Sequence, residues 1–389
     1  MKIKYSLSND TWGSEEIEAV NRVVSSGMFT MGREVAEYEK AFAEKFGTKY
    51  AVMSNSGSSA NLLAVSSLVC SGRLKTGDEV LAPAVSWGTT YFPLSQCRLR
   101  IRLVDIDRDT LNVDTSKLED ALTADTKAFI AVNLLGNPND FDIINYFCEK
   151  HDLILIEDNC ESMGASYKGK NAGTFGKLGT FSTFYSHHLC TMEGGVTVTD
   201  DEELYHYMLS LRAHGWTRQL PEESRLYRKN HNEFYESFQF ILPGYNLRPL
   251  EMEGAIGKEQ LKKLDGFISC RRENASYFKD KIAADGRFFI QKETGISSWF
   301  GFALVLGREY AEKRDLIVSA LRKAGIEVRP IVAGNFSRQP VFGKLDASIS
   351  GKLENADYIH ENGFFVGNHS TPMKNEIDLL IGTLADTKI

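Results

Sequence analysis

The chain has 389 residues, of which 42% are hydrophobic and 25% charged, a composition typical of a soluble globular protein with room for more than one domain. Its net charge is −7 and it has no Lys/Arg-rich run, so neither nucleic acid nor a membrane is an expected partner. No apolar run approaches the ~20 residues of a membrane span. The N-terminus lacks a signal-peptide core, and the six cysteines are scattered without a CxxC pair, which predicts a cytoplasmic protein with reduced thiols, no metal site and no iron–sulfur cluster.

Two amphipathic helices are predicted near the N-terminus, over residues 13–25 and 33–46, where apolar residues recur at helical spacing. A short strand from Tyr50 follows. A run of small polar residues, 54–61, then leads into an apolar helix at 62–70. The order strand, small residues, helix predicts a turn at the edge of a sheet.

Within that turn, Gly57, Ser58 and Ser59 are candidates for binding an anion. Small residues let backbone N–H groups approach a ligand, and the partial positive charge of a helix N-terminus favours an anion there. From composition alone an ordinary serine N-cap is the favoured interpretation, and a phosphate site is the alternative.

Trp87 follows the predicted strand 79–83 and precedes Gly88. An aromatic plate at a strand end can stack on a ligand ring at ring spacings of about 4.5–7 Å, or it can be core packing, as most tryptophans are. Further strands at 99–105 and 127–134 alternate with helical patterns, which predicts a mostly parallel sheet. No GxGxxG motif is present, which disfavours a dinucleotide site.

The strand predicted over residues 153–157 is almost fully apolar, as a central parallel strand should be. Asp158 and Glu161 follow at its carboxyl end. Two carboxylates there can form an acid/base pair or be solvated loop charges. A metal site is a weak interpretation because no third ligand is near.

Residues 179–195 carry the pattern around which the rest of the chain can be interpreted. A β-branched and aromatic strand at 180–185 includes Ser182 and breaks into a polar turn with His187 and His188. Glu193-Gly194-Gly195 and another strand follow. An α/β enzyme can display a reactive side chain in this way. The alternatives are a serine satisfied by backbone and a histidine pair at the surface or in the core.

The second half of the chain begins with the segment 211–218, which contains His214 and Arg218 and leads from a helix into a charged, Tyr-rich loop. Its length and polarity are typical of a binding or mobile loop. Asn246 follows in a turn before a long helix at 251–281. A smaller α/β pattern, including Arg329, completes the chain.

These motifs together resemble the sugar aminotransferases built on the fold of aspartate aminotransferase, which use pyridoxal 5′-phosphate (PLP). The resemblance runs over nearly the whole chain. It implies an α/β protein of PLP-dependent transferase fold type I, with a mostly parallel seven-stranded sheet in a large domain over residues 1–250. A connecting helix at 251–281 and a smaller C-terminal α/β domain at 282–389 would follow.

The resemblance also implies roles for individual residues. Members of the family bind the cofactor phosphate, stack an aromatic on the pyridine ring, hold a carboxylate at its nitrogen, and usually place Gln near its hydroxyl. In this chain these positions are Gly57, Ser58, Ser59 and Ser182 for the phosphate, Trp87 for the stack, Asp158 for the nitrogen, and Glu161 in place of the usual Gln. A carboxylate at the nitrogen keeps it protonated, which makes the ring an electron sink.

Further positions concern the substrate and a second subunit. Asn246 matches the family asparagine that reaches the phosphate of the neighbouring subunit, which implies a homodimer with a shared active site; a plain turn is the alternative. Arg329 lies where relatives bind a carboxylate or sugar, although a solvated arginine fits equally. His214 and Arg218 are candidates for substrate contacts in an LRxHG-like segment.

The family lysine that binds PLP covalently is missing. Counting back from Gly195 places His187 at its position, and no lysine occurs from residue 178 to 228. An imidazole has no primary amine, so it can move protons but cannot make that bond; PLP, or its aminated form PMP, would be held noncovalently. His188 is interpreted as support or packing.

The resemblance therefore narrows to the histidine-bearing branch of the family, sugar 3-dehydratases. It implies removal of the C-3 hydroxyl from GDP-4-keto-6-deoxymannose in colitose and O-antigen (lipopolysaccharide) biosynthesis, with glutamate as amino donor. Two alternatives remain open at this point. One is a nucleotide-sugar aminotransferase that tolerates loss of the lysine and makes an aminated product. The other is a non-catalytic protein of the same fold.

Overall fold

Alternating apolar strands and amphipathic helices build the first 200 residues into a central sheet covered by helices. The structure, a computed structural model, describes residues 2–388. Its strands are β1 Tyr50–Ser54, β2 Glu79–Pro83, β3 Arg100–Val104, β4 Thr126–Val132, β5 Ile154–Asp158, β6 Ser166–Tyr167, β7 Lys170–Asn171, β8 Leu178–Ser182, β9 Gly195–Thr199, β10 Phe288–Ile290, β11 Gly301–Leu306, β12 Ala347–Ile349 and β13 Gly363–Gly367.

The helices connect these strands and cover the sheet. They are α1 Ser14–Ser26, α2 Arg33–Phe46, α3 Gly57–Cys70, α4 Gly88–Gln96, α5 Leu118–Ala121, α6 Phe141–Lys150, α7 Glu202–Arg212, α8 Glu233–Glu236, α9 Glu251–Ile282, α10 Arg314–Ala324, α11 Glu354–Asn362 and α12 Lys374–Asp386. Within residues 2–388, no helix combines the length and the apolar character that crossing a bilayer requires.

The central sheet has the order β1-β9-β8-β5-β4-β2-β3-β12. Strand β9 runs antiparallel to both of its neighbours, and the other pairings are parallel. The predicted mostly parallel sheet is thus confirmed, but it has eight strands where seven were predicted. The short strand β12, from the C-terminal part of the chain, adds an eighth member beside β3.

Helix α3 is the most deeply placed helix of the large unit. It packs against β8 and β9 on one side and against α4 and α7 on the other. Its sequence is apolar on nearly every side, which suits a helix enclosed on all faces. Its N-terminus therefore has a fixed position at the edge of the sheet.

The smaller unit is built from the sheet β10-β11-β13, the end of α9, and helices α10 and α12. Its core includes Phe278, Phe302 and Phe364, each at most 1% exposed. Tyr5 joins this core, and its hydroxyl donates to the Gly367 carbonyl at 2.5 Å. The N-terminal segment, predicted with the large domain, thus packs on the smaller unit. The proposed boundaries at residues 250 and 282 stay a prediction.

Several element boundaries differ from the predicted ones for local reasons. Helix α3 begins at Gly57 instead of residue 62, because the Ser56 side chain caps it by accepting from the Ser59 N–H at 3.1 Å. Strand β8 ends at Ser182, where its pairing with β9 ends at Gly195. Strand β11 begins only at Gly301, because the left-handed backbone of Trp299 (φ 49°) interrupts the extended chain just before it.

Candidate active site

The candidate site lies where the carboxyl ends of β5 and β8 meet the N-terminus of α3. Ligands bind at such edges in open α/β sheets, because the loops that follow the strands converge there. Asp158 ends β5, Ser182 ends β8, and Gly57 begins α3. Three segments far apart in the chain therefore supply one site.

Gly57 is the closest contact point of these segments. A Cβ at this position would lie 2.7 Å from the Ser182 Cβ and 3.1 Å from the Cys160 Sγ. A Cβ on Gly195 would lie 2.2 Å from the Ser56 carbonyl oxygen. The glycine of the Glu-Gly-Gly turn and the first residue of α3 are thus both required for the close approach that places Ser182 beside the helix N-terminus.

The first turn of α3 keeps donors available for an anion. The first N–H groups of a helix have no partner within it, and the Ser56 hydroxyl accepts only the Ser59 N–H. The Ser59 hydroxyl donates to the Asn55 side chain at 2.6 Å, whereas Ser58 is exposed. Backbone N–H groups, the Ser58 hydroxyl and the helix dipole together form a positive cup.

Asp158 is 6% exposed and sits at the centre of a buried hydrogen-bond network. Its Oδ2 accepts from Asn61 Nδ2 at 2.9 Å and from Thr90 Oγ1 at 2.7 Å. The Thr180 hydroxyl donates to the Asn61 side-chain oxygen at 2.5 Å, which orients that amide. These two side-chain donors, with the Cys160 N–H on Oδ1 at 3.2 Å, hold this carboxylate in one rotamer.

Glu161 lies one turn beyond Asp158 and is partly exposed. Its Oε2 accepts the Leu135 N–H at 3.1 Å. Burial, followed in the same direction by the charge of Asp158, raises the pKa of Glu161 to about 7. The carboxyl can therefore hold or release a proton near neutral pH, which a glutamine at this position could not do.

Trp87 lies between β2 and α4 and is 60% exposed. Its neighbour Ser86 shares a 2.7 Å hydrogen bond with Thr90, which ties this turn to the Asp158 network. An indole this exposed is not core packing, so the alternative interpretation is wrong for Trp87. Its stacking role stays a prediction.

His187 lies in the turn that joins β8 and β9. Its backbone N–H donates to the Phe184 carbonyl at 2.9 Å, and the Phe184 N–H donates in turn to the Ser182 hydroxyl at 3.3 Å. The side chain is partly exposed. Its Nδ1 is buried without a hydrogen-bond partner among residues 2–388, which leaves Nε2 as the ring nitrogen available to a ligand. Burial and the Arg271 guanidinium lower the pKa of His187 to about 4.

His188, in contrast, is fully buried. Its Nε2 lies 3.1 Å from the Ser298 carbonyl oxygen, so this nitrogen donates and is occupied. Burial and the same Arg271 charge lower the pKa of His188 well below its usual range. The geometry fits the packing role interpreted from the sequence.

The backbone beside the two histidines is strained at two buried, non-glycine positions. Leu135 (φ 51°) and Trp299 (φ 49°) adopt left-handed conformations, each of which costs about 1–3 kcal/mol. The Phe300 N–H donates to the Leu135 carbonyl at 3.0 Å, and the Ser298 N–H donates to the Gly136 carbonyl at 2.9 Å. These two bonds hold the strained segments together.

The remaining predicted residues lie apart from this centre. Asn246 is exposed, and its Oδ1 accepts from Arg248 Nε at 3.0 Å. The carbonyl of the next residue, Leu247, accepts the Asn55 N–H just before the first turn of α3. His214 (φ 64°) is partly exposed and packs on Trp216, at 5.1 Å between ring centroids. Arg218 and Arg329 are exposed; the backbone of Arg329 pairs with Phe365. Their roles stay predictions.

Sequence reasoning missed the residues that support the site. Asn61, Thr90 and Thr180 hold Asp158, and Phe300 packs on both histidines, at 5.2 Å and 5.7 Å between ring centroids. One signal existed in the sequence: Asn61 is an amide in a helix otherwise built of small and apolar residues, where a buried polar side chain needs a partner. Within residues 2–388, no three His, Cys, Asp or Glu side chains are grouped as a metal site, and all six cysteines are free.

Comparison with known proteins agrees with this architecture. Residues 10–384 match the DegT/DnrJ/EryC1/StrS aminotransferase family. The chain is 54% identical over 386 residues to the GDP-4-keto-6-deoxy-D-mannose 3-dehydratase of Yersinia pseudotuberculosis, with 98% of each chain covered.

Solved structures of GDP-4-keto-6-deoxymannose-3-dehydratase are also similar to this chain, in sequence and in fold. The Escherichia coli GDP-4-keto-6-deoxy-D-mannose-3-dehydratase with hydrated PLP is 53% identical, has a TM-score of 0.96, and aligns over 99% of this chain and 100% of its own. Two other structures of GDP-4-keto-6-deoxymannose-3-dehydratase align over 98% of this chain and 100% of theirs, at 53% identity and a TM-score of 0.96. One has PLP and glutamate trapped together, and the other is a His-to-Asn variant with GDP-perosamine.

A further variant structure of that enzyme bears on the identity of the histidine. It carries two adjacent substitutions, in which a serine becomes asparagine and the following histidine becomes lysine. It is 53% identical to this chain, with a TM-score of 0.95 and with 97% of this chain and 100% of its own covered.

Proposed function

The chain belongs to the DegT/DnrJ/EryC1/StrS aminotransferase family, and we propose that it is a PLP-dependent dehydratase that removes the C-3 hydroxyl of GDP-4-keto-6-deoxy-D-mannose. The observation that carries this proposal is His187, at the place where the family has its lysine and beside an otherwise complete cofactor site. The near-full-length similarity to the 3-dehydratases named above supports the choice of substrate. The product is the GDP-linked 4-keto-3,6-dideoxy sugar.

The residues present fit PLP or PMP. Gly57 leaves room that a Cβ would fill, beside Ser182 and a helix N-terminus with free donors, and this suits a phosphate dianion. Asp158 supplies a fixed carboxylate for the pyridine nitrogen, Glu161 lies nearby for the ring oxygen, and Trp87 offers an exposed aromatic face. The bound cofactor supplies an electron sink that weakens bonds next to the substrate nitrogen.

His187 performs the proton transfers that this chemistry needs. With a pKa lowered to about 4, its imidazole is neutral at neutral pH. Its Nε2 therefore carries a lone pair that can accept a proton from the methylene carbon of the aminated cofactor. The imidazolium that results is a strong acid in this apolar setting. It can return the proton to the departing C-3 hydroxyl, which leaves as water. One residue thus serves as base and then as acid.

The choice of His187 over His188 has independent support. The variant enzyme named above has a serine directly before its substituted histidine. In this chain, Ser186-His187 is the only Ser-His pair among its eight histidines. His188 is also fully buried: its Nε2 is engaged by the Ser298 carbonyl, and its Nδ1 is buried away from any substrate.

Glutamate is the proposed amino donor, in line with the related structure that contains PLP and glutamate. The overall balance is that glutamate gives its amino group and leaves as 2-oxoglutarate. The sugar loses its C-3 hydroxyl as water, and later hydrolysis releases ammonia and the ketosugar. The cytoplasmic location expected from the sequence stays part of this proposal.

The proposal includes a homodimer in which each subunit completes the site of the other. Phe240 and Leu250 flank Asn246 in the sequence and are 50% and 45% exposed, and Phe29 is 50% exposed. Thr30 pairs with Leu250, so Phe29 and Leu250 belong to one surface. Burial of such a patch is a common driving force for association. Asn246 lies within this patch and would then be able to reach the positive cup at the first turn of α3 in the other subunit.

The test of the reaction is mass spectrometry of the sugar product after incubation with GDP-4-keto-6-deoxymannose, PLP and glutamate. Loss of one oxygen from the sugar, with glutamate consumed, is expected. A product that gains an amine in place of its ketone would instead identify an aminotransferase. An unchanged sugar, in a protein shown to bind PLP, would favour the non-catalytic alternative.

The matched pair His187→Asn and His188→Asn tests the residue assignment. His187→Asn should reduce turnover by roughly 10²- to 10⁴-fold, the usual contribution of a positioned acid/base. It should leave stability nearly unchanged, because the ring makes no side-chain hydrogen bond within residues 2–388. His188→Asn should destabilise the fold more than it reduces turnover per folded molecule. The opposite pattern would exchange the two roles.

A complementation experiment tests the shared site. Asn246→Ala and His187→Asn subunits are each expected to be nearly inactive alone. In mixed dimers one of the two sites carries both substitutions and the other carries neither. Random mixing should then restore about a quarter of the wild-type activity. No restoration, in a preparation whose mixed dimers are confirmed by native mass spectrometry, would show that Asn246 serves its own subunit.

A further inference from the structure

The imidazole of His187 is held in an unusual way. A functional histidine is commonly oriented by a hydrogen bond to its second ring nitrogen. Among residues 2–388, the buried Nδ1 of His187 has no such partner. Instead two aromatic rings flank the imidazole: Phe300 at 5.2 Å and 61°, and Phe184 at 5.9 Å and 78°, between ring centroids and planes. Both are edge-to-face contacts.

Of the two rings, Phe300 has the firmer support. Its N–H donates to the Leu135 carbonyl at 3.0 Å, and its carbonyl accepts from Arg271 at 3.3 Å. Phe184 is 39% exposed, whereas Phe300 is partly buried next to Trp299, which is 3% exposed. The left-handed backbone of Trp299 aims Phe300 across the sheet edge at the histidines. Such backbone persists only where the surrounding structure enforces it.

We propose that Phe300 is a positioning residue that orients the His187 imidazole through an edge-to-face contact of the two rings, in place of the hydrogen bond that such a histidine usually donates from its second ring nitrogen. This inference rests on the proposed function, since it concerns the residue that transfers the proton. The ring of Phe300 also lies 5.7 Å from that of His188, so one side chain packs on the whole histidine pair.

The arrangement has a chemical consequence. A hydrogen-bond acceptor at Nδ1 would stabilise the imidazolium. Phe300 supplies no such acceptor, so burial leaves the neutral imidazole favoured. Arg271, whose guanidinium is bound by carbonyl oxygens of Phe300 and Asn368, adds a positive charge on the same side. The Leu135 backbone also connects the surroundings of His187 with Glu161. Its carbonyl accepts the Phe300 N–H, and its own N–H donates to the Glu161 carboxylate.

The test compares Phe300→Leu and Phe300→Tyr with the control Phe302→Leu. Leucine keeps an apolar side chain but removes the aromatic face, and tyrosine restores the face. Phe302 is two residues away, is fully buried, and stacks on Phe278 at 4.3 Å, in the core of the smaller unit. Its replacement by leucine therefore removes a comparable ring from a place remote from the histidines.

Steady-state kinetics with GDP-4-keto-6-deoxymannose give the first readout. Phe300→Leu should lower kcat by about 10- to 100-fold, the scale of a roughly 1 Å misplacement of a reacting group, with KM changed by less than about threefold. Phe300→Tyr should retain most of kcat. Phe302→Leu should lower the melting temperature at least as much as Phe300→Leu and leave kcat nearly unchanged.

The second readout does not depend on turnover. Deuterium exchange at the imidazole C2–H, resolved for His187 by fragment-ion mass spectrometry, should become several-fold faster in Phe300→Leu than in the wild type and in Phe302→Leu. This arm decides the proposal even if the wild type does not dehydrate the sugar. Unchanged exchange at His187, or an equal loss of kcat in Phe302→Leu, would overturn the positioning role of Phe300.

Discussion

Replacement of Gly57 by alanine is the sharpest test of the cofactor site. Gly57 lies where helix α3, strand β8 and the loop after β5 meet. An added Cβ would come within 2.7 Å of the Ser182 Cβ, 3.0 Å of its Oγ and 3.1 Å of the Cys160 Sγ. The Oγ and Sγ atoms can rotate, but the Ser182 Cβ is bonded to the backbone and cannot move away by rotation. The helix and the strand must therefore separate.

The size of the effect follows from these distances. Carbon atoms pack at about 3.5–4.0 Å, so the alanine requires a displacement of roughly 1 Å. Overpacking of this kind usually costs about 1–3 kcal/mol of stability. The same displacement moves the Ser182 hydroxyl away from the helix donors. Loss of one hydrogen bond to a charged group, about 1.5–3 kcal/mol, would weaken PLP binding by roughly 10- to 100-fold.

Two measurements separate these effects. Urea unfolding of the cofactor-free protein gives the cost in stability, and titration followed by PLP absorbance gives the dissociation constant. Gly266→Ala is the control, because it lies in the middle of the long helix α9 and its Cβ would meet nothing within 4 Å. The control should be neutral or stabilising by about 0.5–1 kcal/mol, with unchanged PLP affinity.

Ser182→Ala completes the experiment, since it removes the hydroxyl without a steric clash. It should weaken PLP binding with little change in stability. If Gly57→Ala loses stability but binds PLP as well as the wild type does, the phosphate does not lie at the N-terminus of α3. In that case the site reasoning based on Gly57 and Ser182 would be refuted.

Three other substitutions probe the neighbouring groups. Trp87→Ala should change stability by less than about 0.5 kcal/mol, since the residue is a surface one, but should weaken PLP binding by up to tenfold; an unchanged affinity would remove the stacking role. Thr90→Val should cost about 1–3 kcal/mol in urea unfolding, because Asp158 loses a buried donor at 2.7 Å; a loss below 0.5 kcal/mol would contradict this. Burial raises the pKa of Glu161 from 4.5 to about 7, so the folded protein binds more protons than the unfolded chain and its stability falls as pH rises through this window. In Glu161→Gln the loss of stability between pH 5 and pH 7.5 should be smaller than in the wild type. An equal loss would show that Glu161 does not cause it.

The sequence was sufficient for the order of the elements and for the segments that carry the site. Alternating apolar runs predicted the parallel sheet, and helical spacing predicted α2 at its observed bounds. These features depend on contacts between neighbours in sequence or on the period of a single element. They can therefore be predicted without knowledge of the tertiary structure.

The support of the site could not be predicted in this way. Asn61 and Asp158 are 97 residues apart, and Thr180 is 119 residues from Asn61, yet they form one network. Strand β12 joins the large sheet from a distant part of the chain, and Tyr5 completes the core of the smaller unit. Such contacts arise only when whole elements pack, and no local pattern marks their partners.

His187 shows the division between what the sequence determines and what the tertiary structure determines. That it cannot bind PLP covalently follows from the sequence alone, because the absence of a primary amine is a property of the residue in any fold. Which ring nitrogen it offers, and whether that nitrogen is free of a proton, were decided by tertiary structure. The pKa of His187 and the orientation of its ring depend on Phe300, Arg271 and burial, and these exist only in the folded chain.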